Sequence, residues 1–195
     1  MSWPSPENAA RATGAPAPSR SEQRMQHKIT RKQYNSKLCF VCGLKNGSGL
    51  KASFFETEKG ELVATFTPGE EHQSYPGRLH GGLASAILDE TIGRAVMVGN
   101  DREVWGITVE LSLNYRKPIP LGVELKAVGR IAEENNRFFE GTGEIILPGG
   151  EVAVTARGKY MKAPLERIAD FDPVVNEWEV VPGEDDPETI ELPDR

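Results

Sequence analysis

The chain has 195 residues, 38% of them hydrophobic and 27% charged, with 14 prolines and 2 cysteines. Its length suits one domain with appendages, and a hydrophobic fraction below the usual globular value points to polar tails diluting an ordinary core. A formal charge of −6 argues against non-specific nucleic-acid binding by the whole molecule. The lack of a long apolar run argues against a membrane span, and an N-terminus without an apolar core argues against secretion, so a cytoplasmic, reduced setting is expected.

Met1 to about Arg24 is rich in Pro, Ala, Ser and Gly without apolar period and reads as a disordered leader. Met25 to Lys37 is basic and polar, a short helix or an extended arm anchored by Ile29 and Tyr34. Charge is segregated: Gln23 to Phe55 holds no acid, whereas Pro164 to Arg195 is strongly acidic. Such blocks usually mark solvated tails, though a basic arm could also meet anionic partners. Cys39 and Cys42 form one C-x-x-C, and with no further cysteine to complete a zinc site neither metal binding nor redox activity is expected.

Leu50–Thr57 and Leu62–Thr67 are predicted strands joined at Lys59-Gly60, so they should form a hairpin. Gly69 to Leu79 is a loop holding His72, Gln73, Ser74 and Tyr75. From Leu83 to Val98 the chain is apolar nearly all round, the pattern of a helix enclosed by other elements. His80-Gly81-Gly82 opens it, leaving amide N–H groups unshielded at the positive end of the helix dipole, where a developing oxyanion would be stabilised.

Two neighbouring acids lie in this helix. Glu90 has Arg94 four residues on, so a surface ion pair accounts for it. Asp89 has no such partner and shares a strip of small residues with Gly82, Ser85, Ala86 and Gly93, which admits a ligand or another backbone. A catalytic carboxylate fits there, as does an acid that merely bonds a backbone amide.

After the helix a long strand runs from about Val104 to Tyr115, with Ile107, Val109, Leu111, Leu113 and Tyr115 expected on one face and Thr108, Glu110, Ser112 and Asn114 on the other. Strands at about 122–132, 138–147 and 152–161 follow, punctuated by Glu134-Asn135-Asn136 and Pro148-Gly149-Gly150. About six antiparallel strands and one apolar helix make an α+β fold in which the helix covers one face of the sheet. Pro164 onward is read as an acidic tail that packs by aromatic anchors, Phe171 and Trp178 among them, and becomes disordered after Pro182.

The segment His72 to Gly82, followed by Ile87-Leu88-Asp89-Glu90, resembles the PaaI-like branch of the hotdog-fold acyl-CoA thioesterases, with further likeness at Cys39 to Gly43 and Thr108 to Tyr115. The resemblance covers about residues 38–163, leaving 1–37 as leader and 164–195 as tail. It implies a curved sheet wrapped around the central helix, no cofactor, and a homodimer or a dimer of dimers with sites shared between subunits. It further implies hydrolysis of an acyl-CoA thioester, with Asp89, nine residues after His80, as general base or nucleophile. Gly82 and Gly81 would supply amides to the thioester carbonyl, Thr108 would hold the attacking water, and His80 would orient the loop or contact substrate. Some relatives carry Asn or Gln six residues before the motif His; Ser74 stands there with Gln73 beside it, so that contact shifts to Gln73 or is absent. Neither nucleic acid nor membrane is an expected partner. A non-catalytic acyl-CoA-binding regulator and a hotdog hydratase or dehydratase are the alternatives.

Overall fold

A computed structural model describes residues 24–100, 104–170 and 172–194. The leader 1–23 and Phe171 lie outside the described residues. In chain order the strands are β1 (Arg24–Lys32), β2 (Ser53–Thr57), β3 (Leu62–Phe66), β4 (Trp105–Tyr115), β5 (Leu125–Glu134), β6 (Phe138–Ile146), β7 (Val152–Ala163) and β8 (Thr189–Pro193). Among the described residues one α-helix, α1 (Gly81–Arg94), lies between β3 and β4 and runs on into a short 3-10 turn at Ala95–Met97. All strands join one antiparallel sheet in the order β4-β7-β6-β5-β3-β2-β1-β8.

The expected hotdog arrangement is present: the sheet curves around α1, whose buried Ala84, Ile87, Leu88 and Ile92 pack on Phe54, Leu62, Ala127, Phe139 and Ile145. Close approach is made possible by strand glycines facing the helix. A Cβ on Gly129 would lie 2.6 Å from the carbonyl oxygen of Thr91, and one on Gly143 only 2.8 Å from the Ile92 side chain. Bulk at either position would push the helix off the sheet.

The sheet has eight strands, not about six, because the basic arm and the acidic tail are both strands. β1 pairs with β2 on one side and with β8 on the other. Residues 189–193, expected to be disordered, thus form an ordered edge. The alternation Ile190-x-Leu192 drives this: both side chains are buried and pack with Phe55, Val63, Val128 and Ile146, the residues alternating with those that face α1. The tail thereby gives the outer face of the sheet a second, smaller core.

In β4 the expected single face is interrupted. Thr108 opposes Tyr160 and Glu110 opposes Lys159, so Val109 is an extra residue in a β-bulge and is 57% exposed. The bulge switches faces: Thr108 points toward α1, as do Leu111, Leu113 and Tyr115, which an unbroken two-residue period would have set on the opposite side from Thr108.

Candidate active site

Asp89 lies in the third turn of α1, half-buried, where the helix passes under β4 and β7. Its Oδ1 accepts a hydrogen bond from Thr108 Oγ1 at 2.8 Å and one from Tyr160 Oη at 3.1 Å. The second oxygen, Oδ2, has no hydrogen-bond partner among the described residues. The carboxylate is therefore held by one oxygen and offers the other.

Tyr160 was not singled out in the sequence. It is fully buried, stacked on Phe139 at 4.9 Å between ring centres, and its hydroxyl also lies 3.2 Å from the Asp89 carbonyl oxygen. Gly158, two residues earlier on the same face, leaves room for the ring. Burial first, and then the adjacent Asp89 charge, hold the Tyr160 hydroxyl well above the ordinary phenol range, so it stays protonated and able to donate. The readable signal was a tyrosine at an inward strand position, whose hydroxyl must find a partner when buried.

At the start of α1, His80 is the N-cap residue: its Nδ1 accepts from the Gly82 amide at 2.9 Å. That accounts for His80 as a cap and engages the Gly82 N–H within the chain. The Gly81 N–H, by contrast, has no acceptor among the described residues. Tyr115, reaching back from the end of β4, donates to the Gly81 carbonyl at 2.8 Å and also bonds the Ser85 hydroxyl at 2.8 Å, fixing the first helical turn. Gln73 is occupied as well: its Oε1 accepts from the Gly77 amide at 2.8 Å. Ser74 is exposed, and its backbone N–H donates to Arg78. His72 is buried and structural, with Nδ1 accepting from the Gly69 amide and Nε2 on the Ser48 carbonyl oxygen.

Gly81 and Asp89 are eight positions apart on one helix, so at 1.5 Å per residue their backbones are separated by about 12 Å along the axis. A single reacting carbonyl cannot touch an amide and a carboxylate that far apart. Within one chain the structure thus brings Asp89, Thr108 and Tyr160 together, and His80, Gly81, Gly82 and Tyr115 together, but not the two groups with each other. β4 is one of the two edge strands of the sheet, eleven residues long and exposed at Val109 and Tyr115, an edge of the kind that pairs with another chain.

Glu90 departs from expectation. Its pairing with Arg94 is present, at 2.7 Å, but it is no surface pair: the Arg94 side chain is only 4% exposed and the Glu90 side chain 20%. Arg94 also donates to the Tyr34 carbonyl oxygen, lies 3.1 Å from Cys42 Sγ, and is sandwiched between Phe54 and Trp178 with its guanidinium 4.4 and 5.2 Å from the ring centres.

Comparison with known proteins shows what the chain is similar to. Residues 76–154 match the family model described as the thioesterase superfamily. Rat acyl-coenzyme A thioesterase THEM4 is 34% identical over 83 residues, 42% of this chain and 34% of the relative. Human acyl-coenzyme A thioesterase 13 is 22% identical over 107 residues, 51% of this chain and 76% of the relative. The chain thus spans about a third of the THEM4 relatives it matches. Among solved structures, a thioesterase superfamily protein superposes with a TM-score of 0.58 at 28% identity, covering 63% of this chain and 59% of that one. The Escherichia coli PaaI protein of the phenylacetic acid degradation operon superposes at 0.53 and 17% identity, over 58% of this chain and 80% of that one, which attests the fold. No helix among the described residues is long and apolar enough to cross a membrane.

Proposed function

We infer from the match of residues 76–154 to the thioesterase superfamily model and the likeness to acyl-coenzyme A thioesterases that this chain hydrolyses the thioester bond of an acyl-CoA, releasing a free acid and CoA. The observation that carries the inference is the Asp89 carboxylate, held through Oδ1 by Thr108 and Tyr160 and open at Oδ2. Acting as base, Asp89 takes a proton from water as the hydroxide adds to the thioester carbonyl carbon; the oxyanion collapses, the C–S bond breaks, and the proton passes to the departing thiolate. Acting as nucleophile, Asp89 itself adds to the carbonyl, the C–S bond breaks as the CoA thiolate leaves and takes up a proton from solvent, and water then hydrolyses the resulting anhydride, returning the Asp89 carboxylate and the free acid. On either route the oxyanion needs a donor, and the free Gly81 N–H at the positive end of α1 fits that role better than the Gly82 N–H, which His80 already engages. Gly82 contributes by allowing the cap, Thr108 and Tyr160 by orienting the acid.

The separation of the two groups along α1 makes the site a shared one in this reading, with Gly81 of one subunit facing Asp89 of the other, and the β4 edge as the seam of a homodimer. The test uses two variants. Asp89→Asn keeps the shape of the acid but removes its basicity, and turnover should fall at least ~10²-fold. Gly81→Pro deletes the free N–H; proline is at home in the first helical position, and His80 at φ −64°, ψ 132° already has the extended backbone that a following proline requires. Loss of that donor should also cost about 10²–10³-fold. Each variant alone should be nearly inactive, whereas co-refolded mixtures should recover about a quarter of wild-type turnover, since half the dimers are mixed and each has one intact site. Mixtures as inactive as the separate variants would rule out the shared site, and full activity of Asp89→Asn would rule out the assignment of the acid.

A further inference from the structure

The C-x-x-C motif has no role in the hydrolysis proposed above, and the cysteines and histidines of the sequence alone do not supply enough ligands for a metal. The fold supplies one from elsewhere. Glu90, on the flank of α1 away from Thr108, points its Oε2 at Cys39 Sγ, 3.2 Å away, and the Cys39 sulfur, the Cys42 sulfur and a Glu90 oxygen all lie within 4.8 Å of one another. A tetrahedral zinc ion with bonds of about 2.0–2.3 Å spans donor-to-donor distances of roughly 3.5–3.8 Å, so this triangle needs little adjustment to close on one ion.

The two sulfurs differ in their surroundings: the bond from Cys42 holds the Cys39 thiol below its usual range, whereas that same bond and then burial push the Cys42 thiol well above its own, so the case for a site rests on how the donors are placed. Cys39 Sγ accepts from the backbone amides of Val41 at 3.3 Å and Cys42 at 3.5 Å, as the chain turns tightly from Cys39 to Gly43. Cys42 Sγ lies 3.1 Å from the buried Arg94 guanidinium and 3.4 Å from Ser36 Oγ. Arg94 in turn binds Glu90 through Oε1, leaving Oε2 to face the sulfurs. With both thiols deprotonated as an ion binds, two thiolates and a carboxylate carry three negative charges against the one positive charge of Arg94, and the remainder of two is that of one divalent cation. Arg94 then occupies the place of an outer group that orients the ligands and tunes their charge.

We propose that Cys39, Cys42 and Glu90 bind one zinc ion, which clamps the N-terminal turn to the flank of α1. Sulfur donors select zinc over magnesium or calcium. Three protein donors leave the fourth tetrahedral position to a water molecule, and a cavity of about 420 Å³ walled by Leu38, Val175 and Trp178 reaches both Cys39 and Ser36. The ion would stand one residue from Asp89 but on another face of the helix, so the clamp fixes the position of α1 without touching the reacting groups.

The experiment uses the full chain, expressed without a metal-binding tag and purified under thiol reductant without chelator. Elemental analysis should find close to one zinc per chain. After metal removal, cobalt should titrate to saturation at one equivalent and show thiolate-to-cobalt charge-transfer absorption in the near ultraviolet. Cys39→Ser and Cys42→Ser should each lose most of the bound metal, while Glu90→Gln should keep the charge-transfer band but bind at least ~10-fold more weakly, as loss of even an outer metal partner costs 10–100-fold. Should a variant fail to fold, the wild-type cobalt spectrum decides alone. The proposal is overturned if reduced wild-type protein takes up less than about a tenth of an equivalent, if cobalt binds without a thiolate band, or if both cysteines are recovered as a disulfide that reductant and zinc together do not convert. None of these readouts depends on hydrolytic activity, so the zinc site and the thioesterase reading stand or fall separately.

Discussion

The tail strand offers a quantitative test of the packing argument. Leu192 is 2% exposed and Ile190 3%, and both sit against Phe55, Val63, Val128 and Ile146 on the outer face of the sheet. Truncating a buried leucine costs about 2–5 kcal/mol, the larger values applying where the surroundings cannot collapse into the space. Here four of the surrounding residues are held by the central strands while β8 itself is an edge that can shift inward, so Leu192→Ala should cost about 3 kcal/mol, near the middle of that range. Against a total stability of about 5–15 kcal/mol this is a large fraction, readable as a fall in the urea midpoint. Tryptophan fluorescence during urea titration, at one fixed protomer concentration because the protein is proposed to be a dimer, is the assay. Val174→Ala, at a position 84% exposed in the same C-terminal segment, is the control and should stay within about 0.5 kcal/mol of wild type. If Leu192→Ala unfolds with the control, β8 does not hold the outer core, and the reading of the last residues as a dispensable tail is restored.

Two further outcomes follow from the site. The folded-state pKa of Tyr160 is raised above its unfolded value near 10, so the contribution of the protonated hydroxyl is complete below that pH and is lost as pH rises above it; an alkaline melt should therefore show a steeper loss of stability in wild type than in Tyr160→Phe, and identical slopes would remove the hydroxyl from the account. Glu90→Gln leaves the buried Arg94 without its carboxylate and should cost about 3 kcal/mol, the low end for breaking a buried pair because Glu90 is partly exposed, whereas a surface pair would cost a few tenths; thermal denaturation of metal-free protein distinguishes the two, and a shift within error would return Glu90 to the surface.

What the sequence could show divides along physical lines. Six strands and the helix were legible because each carries either strong two-residue alternation or continuous apolarity, bounded by Gly, Pro or Asn turns. Asp89 and Thr108 were legible as a candidate pair through the family motif and the strand beyond it, and they do meet, at 2.8 Å. The bulge at Val109 was not, since nothing in the alternation of β4 marks the extra residue; it is required by the need to turn both Thr108 and Leu111 toward α1. Tyr160 was hidden as one of several aromatic strand residues. Glu90 was misread for a different reason: helix periodicity tells which residues share a face, but not which face another segment will cover, and here the turn from Ser36 to Gly43 lies over it.

The segregated charge, which looked like two solvated tails, is better understood as a register device. β1 and β8 have few apolar pegs between them, Ile190 and Leu192 on one side and the partly buried Ile29 on the other, so hydrophobic burial alone opposes a two-residue slip only weakly. Such a slip would keep Ile190 or Leu192 facing the core but would uncouple the charges. Arg24 pairs with Glu191 at 2.9 Å, Lys32 with Asp186 at 2.7 Å, and Lys45 with Glu177 at 2.7 Å, all of them links between the acid-free stretch Gln23 to Phe55 and the acidic tail. The two more exposed pairs, at Arg24 and Lys45, each contribute no more than about 1 kcal/mol to stability and are screened by salt, so they do little to hold the fold together. Their effect lies in the comparison between registers: in the observed one every named cation meets an anion, while in a slipped one the same charges are left against solvent. Segregating the two signs is what allows that choice, because the cations of residues 24–45 and the anions of residues 177–191 attract between the two segments and not within them; Arg24–Glu191 ties β1 to β8 directly, and the other two pairs fix the chain leading into β8.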